Sequence, residues 1–138
     1  MSAVWPTILV VDDEKNTRDG LKKYLEGRDY DVLTADSGEE AIRLMEKEKP
    51  DIVLADIRMP GMDGLTLLEK IRAKTPETVV VMLTAYGTVE NAVKAMKLGA
   101  FHYLTKPLNL EELEFLLKKA LTQQSLREEN AELRRELF

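Results

Sequence analysis

The fold is decided by one stretch of the sequence, DIVLADIRMPGMDG at residues 51–64. Its apolar run ends abruptly in a carboxylate, Asp56, and the Pro-Gly and Asp-Gly pairs that follow are turn signals. A short apolar run bounded by turns predicts a buried strand, which would carry Asp56 to the carboxyl edge of a sheet. Asp also favours turns for its own sake, so Asp56 alone does not establish a site.

Four other short apolar runs predict strands, and the segments between them have the spacing of amphipathic helices. The five predicted strands lie at residues 7–11, 30–35, 52–55, 78–83 and 101–104. Strands that alternate with helices predict an α/β domain with a doubly wound parallel sheet. The helical spacing of Val89, Ala92, Val93 and Met96 predicts the fourth helix.

The turn after the first strand distinguishes between the two common doubly wound folds. A dinucleotide-binding fold has a glycine-rich turn there, whereas this chain has Asp12, Asp13 and Glu14. Three acids would repel a bare pyrophosphate, so we expect the flavodoxin-like strand order 2-1-3-4-5.

Polar residues follow four of the predicted strands. They are Asp12 and Asp13 after the first, Asp56 after the third, Thr84 after the fourth and Lys106 after the fifth. Ligands of open α/β sheets bind at this edge, so we expect these side chains to meet there. Three carboxylates repel one another, and a divalent cation such as Mg²⁺ would relieve that repulsion.

This combination of groups predicts phosphoryl transfer to a carboxylate. Asp56 would be the ionised nucleophile, while Lys106, the Thr84 hydroxyl and the backbone N–H of Ala85 would contact phosphoryl oxygens. Each residue also has an ordinary explanation as a helix cap, a strand-end hydroxyl or a solvated charge. The coincidence of all of them at one edge favours the functional interpretation.

Composition limits the classes of protein that need consideration. The chain has 138 residues, 44% of them hydrophobic, which suits one globular domain. A net charge of -5 argues against a nucleic-acid surface, and the absence of Cys excludes disulfides and Cys-based zinc sites. Without a long apolar run or a signal-peptide pattern, we expect a soluble cytoplasmic protein that does not enter a membrane.

Together these residues resemble the receiver domain of bacterial two-component response regulators, over roughly residues 7–121. The resemblance implies that Asp56 accepts a phosphoryl group from a phosphohistidine on a sensor histidine kinase. The chain would then be a switch, and an enzyme only toward its own phosphorylation and dephosphorylation. The matching positions are Asp12-Asp13, Asp56, the turn at 59–64, Thr84-Ala85 and Lys106-Pro107.

The resemblance also implies roles for individual residues. Asp13 and Asp56 would bind Mg²⁺ directly, Asp12 would bind it through water, and the backbone carbonyl of Arg58 would be a further ligand. Thr84 and Tyr103 match the switch pair of the family, in which the hydroxyl moves onto the phosphoryl group and the ring turns inward. The Lys106–Pro107 peptide bond is expected to be cis.

Residues 85–101 resemble the receivers of NtrC-type transcription activators in particular. Those proteins continue into an ATPase domain that acts on the alternative sigma factor, and then into a DNA-binding domain. His102 departs from the pattern, because such receivers often carry an acid there. As the only His in a chain without Cys, it is interpreted as a solvated loop residue.

The last segment predicts one long helix, since residues 108–138 contain neither Gly nor Pro. We expect the receiver domain to occupy residues 1–121 and a helical linker, the start of a coiled coil, to occupy 122–138. An amphipathic helix packed on another domain would have similar spacing. The predicted seam of a parallel homodimer consists of Leu126, Asn130, Leu133 and Leu137, with Asn130 setting the register.

Two other functions fit parts of the sequence. An aspartyl-nucleophile phosphatase or phosphotransferase could use a similar sheet, but such enzymes usually have an acid two residues after the nucleophile, where this chain has Arg58. A leucine-zipper DNA binder would need a basic region beside the seam, which this acidic chain lacks. The sequence favours the switch.

Overall fold

The computed structural model describes residues 5–85 and 88–137, and its five parallel strands form one sheet in the order β2-β1-β3-β4-β5. The predicted fold class and strand order are therefore confirmed, and each strand begins and ends within one residue of its prediction. The elements are β1 (Thr7–Val11), α1 (Lys15–Glu26), β2 (Asp31–Ala35), α2 (Gly38–Glu48), β3 (Ile52–Asp56), α3 (Gly64–Lys74), β4 (Val79–Thr84), α4 (Val89–Lys97), β5 (His102–Thr105) and α5 (Leu110–Leu137).

Helices cover both faces of the sheet, which explains why its central strands are apolar throughout. The side chains of successive residues in a strand point to opposite faces of the sheet, and two neighbouring residues of β1 illustrate this. Leu9 packs with residues of α2, α3 and α4, while Ile8 packs with residues of α1 and α5. One hydrophobic cluster therefore lies on each face of the sheet and holds it between two layers of helices. The carboxyl edge of the sheet carries the polar residues.

The helix α4 is present as predicted, but most of the apolar residues whose spacing predicted it do not face the core. Ala92 and Ala95 are buried against the sheet, whereas Val89, Val93 and Met96 are exposed, Val89 by 79%. Because alanine side chains are small, this side of the helix can lie close to the sheet. The larger apolar side chains form a regular stripe, as predicted, but the stripe faces away from the core.

The long C-terminal helix is present as predicted, although it begins at Leu110. Asn109 caps it, because Asn109 Oδ1 accepts hydrogen bonds from the backbone N–H groups of Glu111 and Glu112 at 3.0 and 3.1 Å. Its first half packs on the sheet. The packing residues are Leu113, Leu116, Leu117 and Ala120, which are buried, and Leu121, which is partly buried.

A second contact holds α5 near its middle. Gln124 Nε2 donates to the backbone oxygens of Glu77 at 3.2 Å and Asp51 at 3.4 Å, both at the amino-terminal edge of the sheet. Beyond this point Leu126, Leu133 and Leu137 are exposed. No helix within residues 5–85 and 88–137 is long and apolar enough to cross a membrane.

Candidate active site

Four strands deliver the predicted residues to one edge of the sheet. Asp12 directly follows β1, Asp56 ends β3, Thr84 ends β4 and Lys106 directly follows β5. Asp12, Asp56 and Thr84 are all buried. Because β1, β3, β4 and β5 are neighbours in the sheet, the strand order places these groups side by side, as the sequence predicted.

The three carboxylates form a cluster that suits a hard divalent cation. One oxygen from each of Asp12, Asp13 and Asp56 can be chosen so that all three lie within 4.8 Å of one another. Asp13 is exposed, so water can reach the cluster from that side. Mg²⁺ prefers oxygen ligands and retains several waters, and the donor set therefore fits it.

Lys106 bridges the two buried carboxylates. Its Nζ donates to Asp12 Oδ2 at 2.8 Å and to Asp56 Oδ2 at 2.9 Å. Burial by itself lowers the pKa of Lys106, but the hydrogen bonds to Asp12 and Asp56 and their charges outweigh it and raise the pKa above its ordinary value. The ammonium group therefore stays charged at neutral pH. The Lys106–Pro107 bond is cis, as expected.

Asp12 is held through its backbone as well as its carboxylate. Its N–H donates to Ala35 O at 3.2 Å, and its Oδ1 accepts from the Glu14 N–H at 2.9 Å. Its carbonyl oxygen accepts from Arg18 Nη1 on α1 at 2.8 Å. Sequence reasoning missed Arg18, because a contact between a side chain and a backbone carbonyl six residues away leaves no pattern.

The Asp63-Gly64 pair predicts a turn, and in the structure Gly64 also lies directly against the end of β3. Its N–H donates to Ile57 O at 2.8 Å. A Cβ on Gly64 would clash with the backbone oxygen of Asp56 and lie 2.8 Å from Ile57 Cα. Since both are backbone atoms, glycine is required for α3 to begin this close to Asp56. The signal was a Gly at the first helical position.

Asp56 is oriented from its other side by the next turn. Its Oδ1 accepts a hydrogen bond from the Arg58 N–H at 3.1 Å, and the Arg58 side chain is exposed. Asp13 is the one member of the carboxylate cluster that lines a nearby cleft of about 580 Å³, together with residues such as Arg58, Asn91 and Lys94.

The predicted switch pair occupies two neighbouring strands. Thr84 is buried at the end of β4, and Tyr103 is partly buried in β5. Tyr103 borders a groove whose other side is the exposed stripe of α4, Val89, Val93 and Met96. Ala85 is exposed, and the two residues after it lie outside the described part of the chain.

His102 is exposed, and its ring stacks on Tyr103 with the ring centroids 5.9 Å apart. Its Nδ1 is 2.9 Å from the N–H of Tyr103. The exposure agrees with the interpretation of a solvated residue, but His102 is the first residue of β5 and does not lie in a loop. Of the residues that the structure describes, only Asp12, Asp13 and Asp56 form a cluster of potential metal ligands.

The doubly wound sheet and its acidic edge define a class of phosphoacceptor domain, and sequence comparison agrees. Residues 8–118 match the response regulator receiver domain, so the chain belongs to that family. The family covers most of the chain and includes all the site residues described above. The prediction made from the motifs is confirmed.

Similar proteins indicate the branch of the family. The chain is 42% identical to the regulatory protein AtoC of Escherichia coli over 122 residues, which are 88% of this chain and 26% of AtoC. It is 38% identical over 115 residues to the DNA-binding transcriptional regulator NtrC of E. coli, covering 83% of this chain and 24% of NtrC. The chain thus spans about a quarter of the length of these relatives, and its NtrC-like character is confirmed.

Solved structures show the same fold. The receiver domain protein of Clostridium thermocellum has a TM-score of 0.84 at 36% identity, with 88% of this chain and 98% of that chain covered. NtrX of Brucella abortus in complex with ADP has a TM-score of 0.89 at 33% identity, with 94% of this chain and 30% of that chain covered.

Proposed function

We propose that Asp56 accepts a phosphoryl group from the phosphohistidine of a sensor histidine kinase in a Mg²⁺-dependent reaction, and that the chain then changes conformation. The observation that carries this proposal is the position of Asp56. It is buried at a strand end, its carboxylate is 2.9 Å from Lys106 Nζ, and it adjoins the carboxylates of Asp12 and Asp13. Such a group is a carboxylate nucleophile held beside a fixed positive charge.

The residues of the site would perform the transfer as follows. A carboxylate oxygen of Asp56 attacks phosphorus as the bond to the donor nitrogen breaks. Lys106 moves from Asp56 to an oxygen of the transferred group, while the Thr84 hydroxyl and the Ala85 N–H bind its other oxygens. The chain thereby replaces one set of charge-assisted hydrogen bonds by another.

The metal would be held by Asp13 and Asp56 directly, with Asp12 through water and the Arg58 carbonyl as the remaining protein groups. Bound Mg²⁺ offsets the charge of the carboxylates and of the phosphoryl oxygens. Lys106 already neutralises part of the Asp12 and Asp56 charge in this structure. We therefore expect weak Mg²⁺ binding.

The conformational change would begin at Thr84 and be transmitted to Tyr103. Movement of the Thr84 hydroxyl toward the phosphoryl group leaves room for the Tyr103 ring to turn inward. This proposal is supported by the place of Tyr103 beside the exposed stripe of α4, because a change in the ring position alters that surface. Dephosphorylation at Asp56 would return the chain to its first state.

The larger protein would be a transcription activator that works in the cytoplasm with its kinase. The names of the relatives support this part of the proposal, since AtoC is a regulatory protein and NtrC a DNA-binding transcriptional regulator. Control of transcription would require an effector domain besides the receiver.

We also propose that the chain forms a parallel homodimer through the exposed half of α5, whose seam is Leu126, Asn130, Leu133 and Leu137.

Incubation of the purified chain with phosphorylated kinase and Mg²⁺ tests the function. We expect at most one phosphoryl group per chain by intact-mass measurement, and no sustained hydrolysis of simple phosphate esters. A phosphatase or phosphotransferase would instead turn over many esters per chain. Arg58 stands where such enzymes usually place their acid, which favours the first outcome.

Asp13→Ala should abolish Mg²⁺ binding without loss of the fold. Asp13 is exposed, and its removal relieves repulsion among the three carboxylates, so the metal-free variant should be at least as stable as wild type. Calorimetric titration with Mg²⁺ and thermal melting measure the two effects. Asp19→Ala, an exposed acid on α1, is the matched control and should bind Mg²⁺ normally. Unchanged binding by Asp13→Ala, or a much lower melting temperature without metal, would contradict the assignment.

A further inference from the structure

Every polar group of Asp12 has a partner in the described part of the chain. Three of these partners are Ala35 at the end of the neighbouring strand β2, Glu14 in the turn after β1, and Lys106 of the site. The fourth is Arg18, whose Nη1 donates to the Asp12 carbonyl oxygen at 2.8 Å from the first turns of α1. Asp12 is 0% exposed, so its carbonyl has no access to bulk water.

We propose that Arg18 is a positioning residue of the phosphorylation site, which holds the Asp12–Asp13 peptide so that both carboxylates face the metal. This inference rests on the proposed function of the acidic cluster. The Asp12 carbonyl belongs to the peptide that joins Asp12 to Asp13. Rotation of that peptide would swing the Asp13 carboxylate away from Asp56.

Arg18 is suited to this role because its bond is charge-assisted and partly buried. The side chain is neither fully exposed nor part of the hydrophobic core. A guanidinium group donates a stronger hydrogen bond to a buried carbonyl than a neutral donor does. Lys106 could not replace it, since its ammonium group already bonds the carboxylate oxygens of Asp12 and Asp56.

A merely structural role for Arg18 is a weaker explanation. The helix α1 is held on the sheet by Leu21 and Leu25, which are buried, and by Tyr24 packed beside them. The backbone N–H of Arg18 donates to Glu14 O at 3.1 Å whatever the side chain. Removing the guanidinium group should therefore leave the helix in place and loosen the turn at residues 12–14.

The test compares Arg18→Met, which keeps much of the aliphatic stem, with Arg18→Lys, which keeps a positive charge and a group that can donate a hydrogen bond. The matched control is Arg28→Met, two residues beyond the carboxyl end of α1, where Arg28 pairs with Glu114 at 3.8 Å and lies 5.3 Å from the Tyr24 ring. Three quantities are measured: Mg²⁺ affinity, the melting temperature of the metal-free protein, and hydrogen exchange of the Glu14 amide.

Arg18→Met should weaken Mg²⁺ binding by about tenfold, the effect expected when a group that orients a metal ligand is lost. Its Glu14 amide should exchange faster, its melting temperature should stay close to wild type, and Arg18→Lys should recover part of the affinity. Wild-type affinity in Arg18→Met, an Arg18→Lys variant no better than Arg18→Met, or an unfolded Arg18→Met would each overturn the inference. Absence of Mg²⁺ binding in the wild type would instead overturn the proposed function.

Discussion

Asp56→Asn should remove phosphorylation altogether. Asparagine has nearly the shape of aspartate, and its amide oxygen can still accept from Arg58 N–H, but it lacks the anionic oxygen that attacks phosphorus. After incubation with Mg²⁺ and a small acyl phosphate, wild type should gain one phosphoryl group by intact-mass measurement. The variant should gain none.

Asp63→Asn is the matched control for this experiment. Asp63 belongs to the same loop, and its carboxylate caps α3 by accepting from Thr66 N–H at 2.8 Å. Asn is an equally good cap, so the control should be phosphorylated like wild type. Equal labelling of wild type and Asp56→Asn would refute the assignment of the nucleophile.

Truncation after Leu121 should sharply weaken the proposed dimer. In a single chain Leu126, Leu133 and Leu137 are exposed, and each could contribute up to about 1.5–3 kcal/mol when buried. An Asn in a coiled-coil seam is best satisfied by the same Asn across a two-fold axis, so Asn130 favours a parallel dimer in register. Sedimentation equilibrium of the unphosphorylated chain and of the truncation measures the difference.

Two point variants separate the seam from the rest of the helix. Leu133→Ala should weaken the dimer, whereas Arg135→Ala, which lies outside the predicted seam, should leave it nearly unchanged. A full-length chain that is monomeric at high micromolar concentration, or a dimer that survives the truncation, would disprove this interface.

The site was largely predictable because its residues stand at strand ends. A parallel sheet brings the ends of neighbouring strands to one edge, so short apolar runs and the acids after them located Asp12, Asp56, Thr84 and Lys106 together. The same reasoning needs no knowledge of side-chain conformations. Sequence order and strand order are sufficient for this part of the molecule.

The remaining features depend on packing that periodicity does not encode. The spacing of Val89, Val93 and Met96 correctly indicated an apolar stripe on α4, but spacing does not say which side of a helix the sheet covers. Arg18 could not be assigned because its partner is a backbone carbonyl. Gly64 was recognisable as a turn residue, whereas its contact with Asp56 appears only in three dimensions.

The helix α5 has the geometry of a mechanical lever. It begins four residues after Lys106, and Gln124 ties it to backbone oxygens at the opposite edge of the sheet. From Gln124 to Leu137 the helix extends about 20 Å further at 1.5 Å per residue. A small tilt of α5 at the Gln124 contact therefore produces its largest displacement at the far end, where the two copies would meet. The length of the segment from Gln124 to Leu137 would therefore determine how far the end of α5 moves when Asp56 is phosphorylated. No large movement within the domain would be needed.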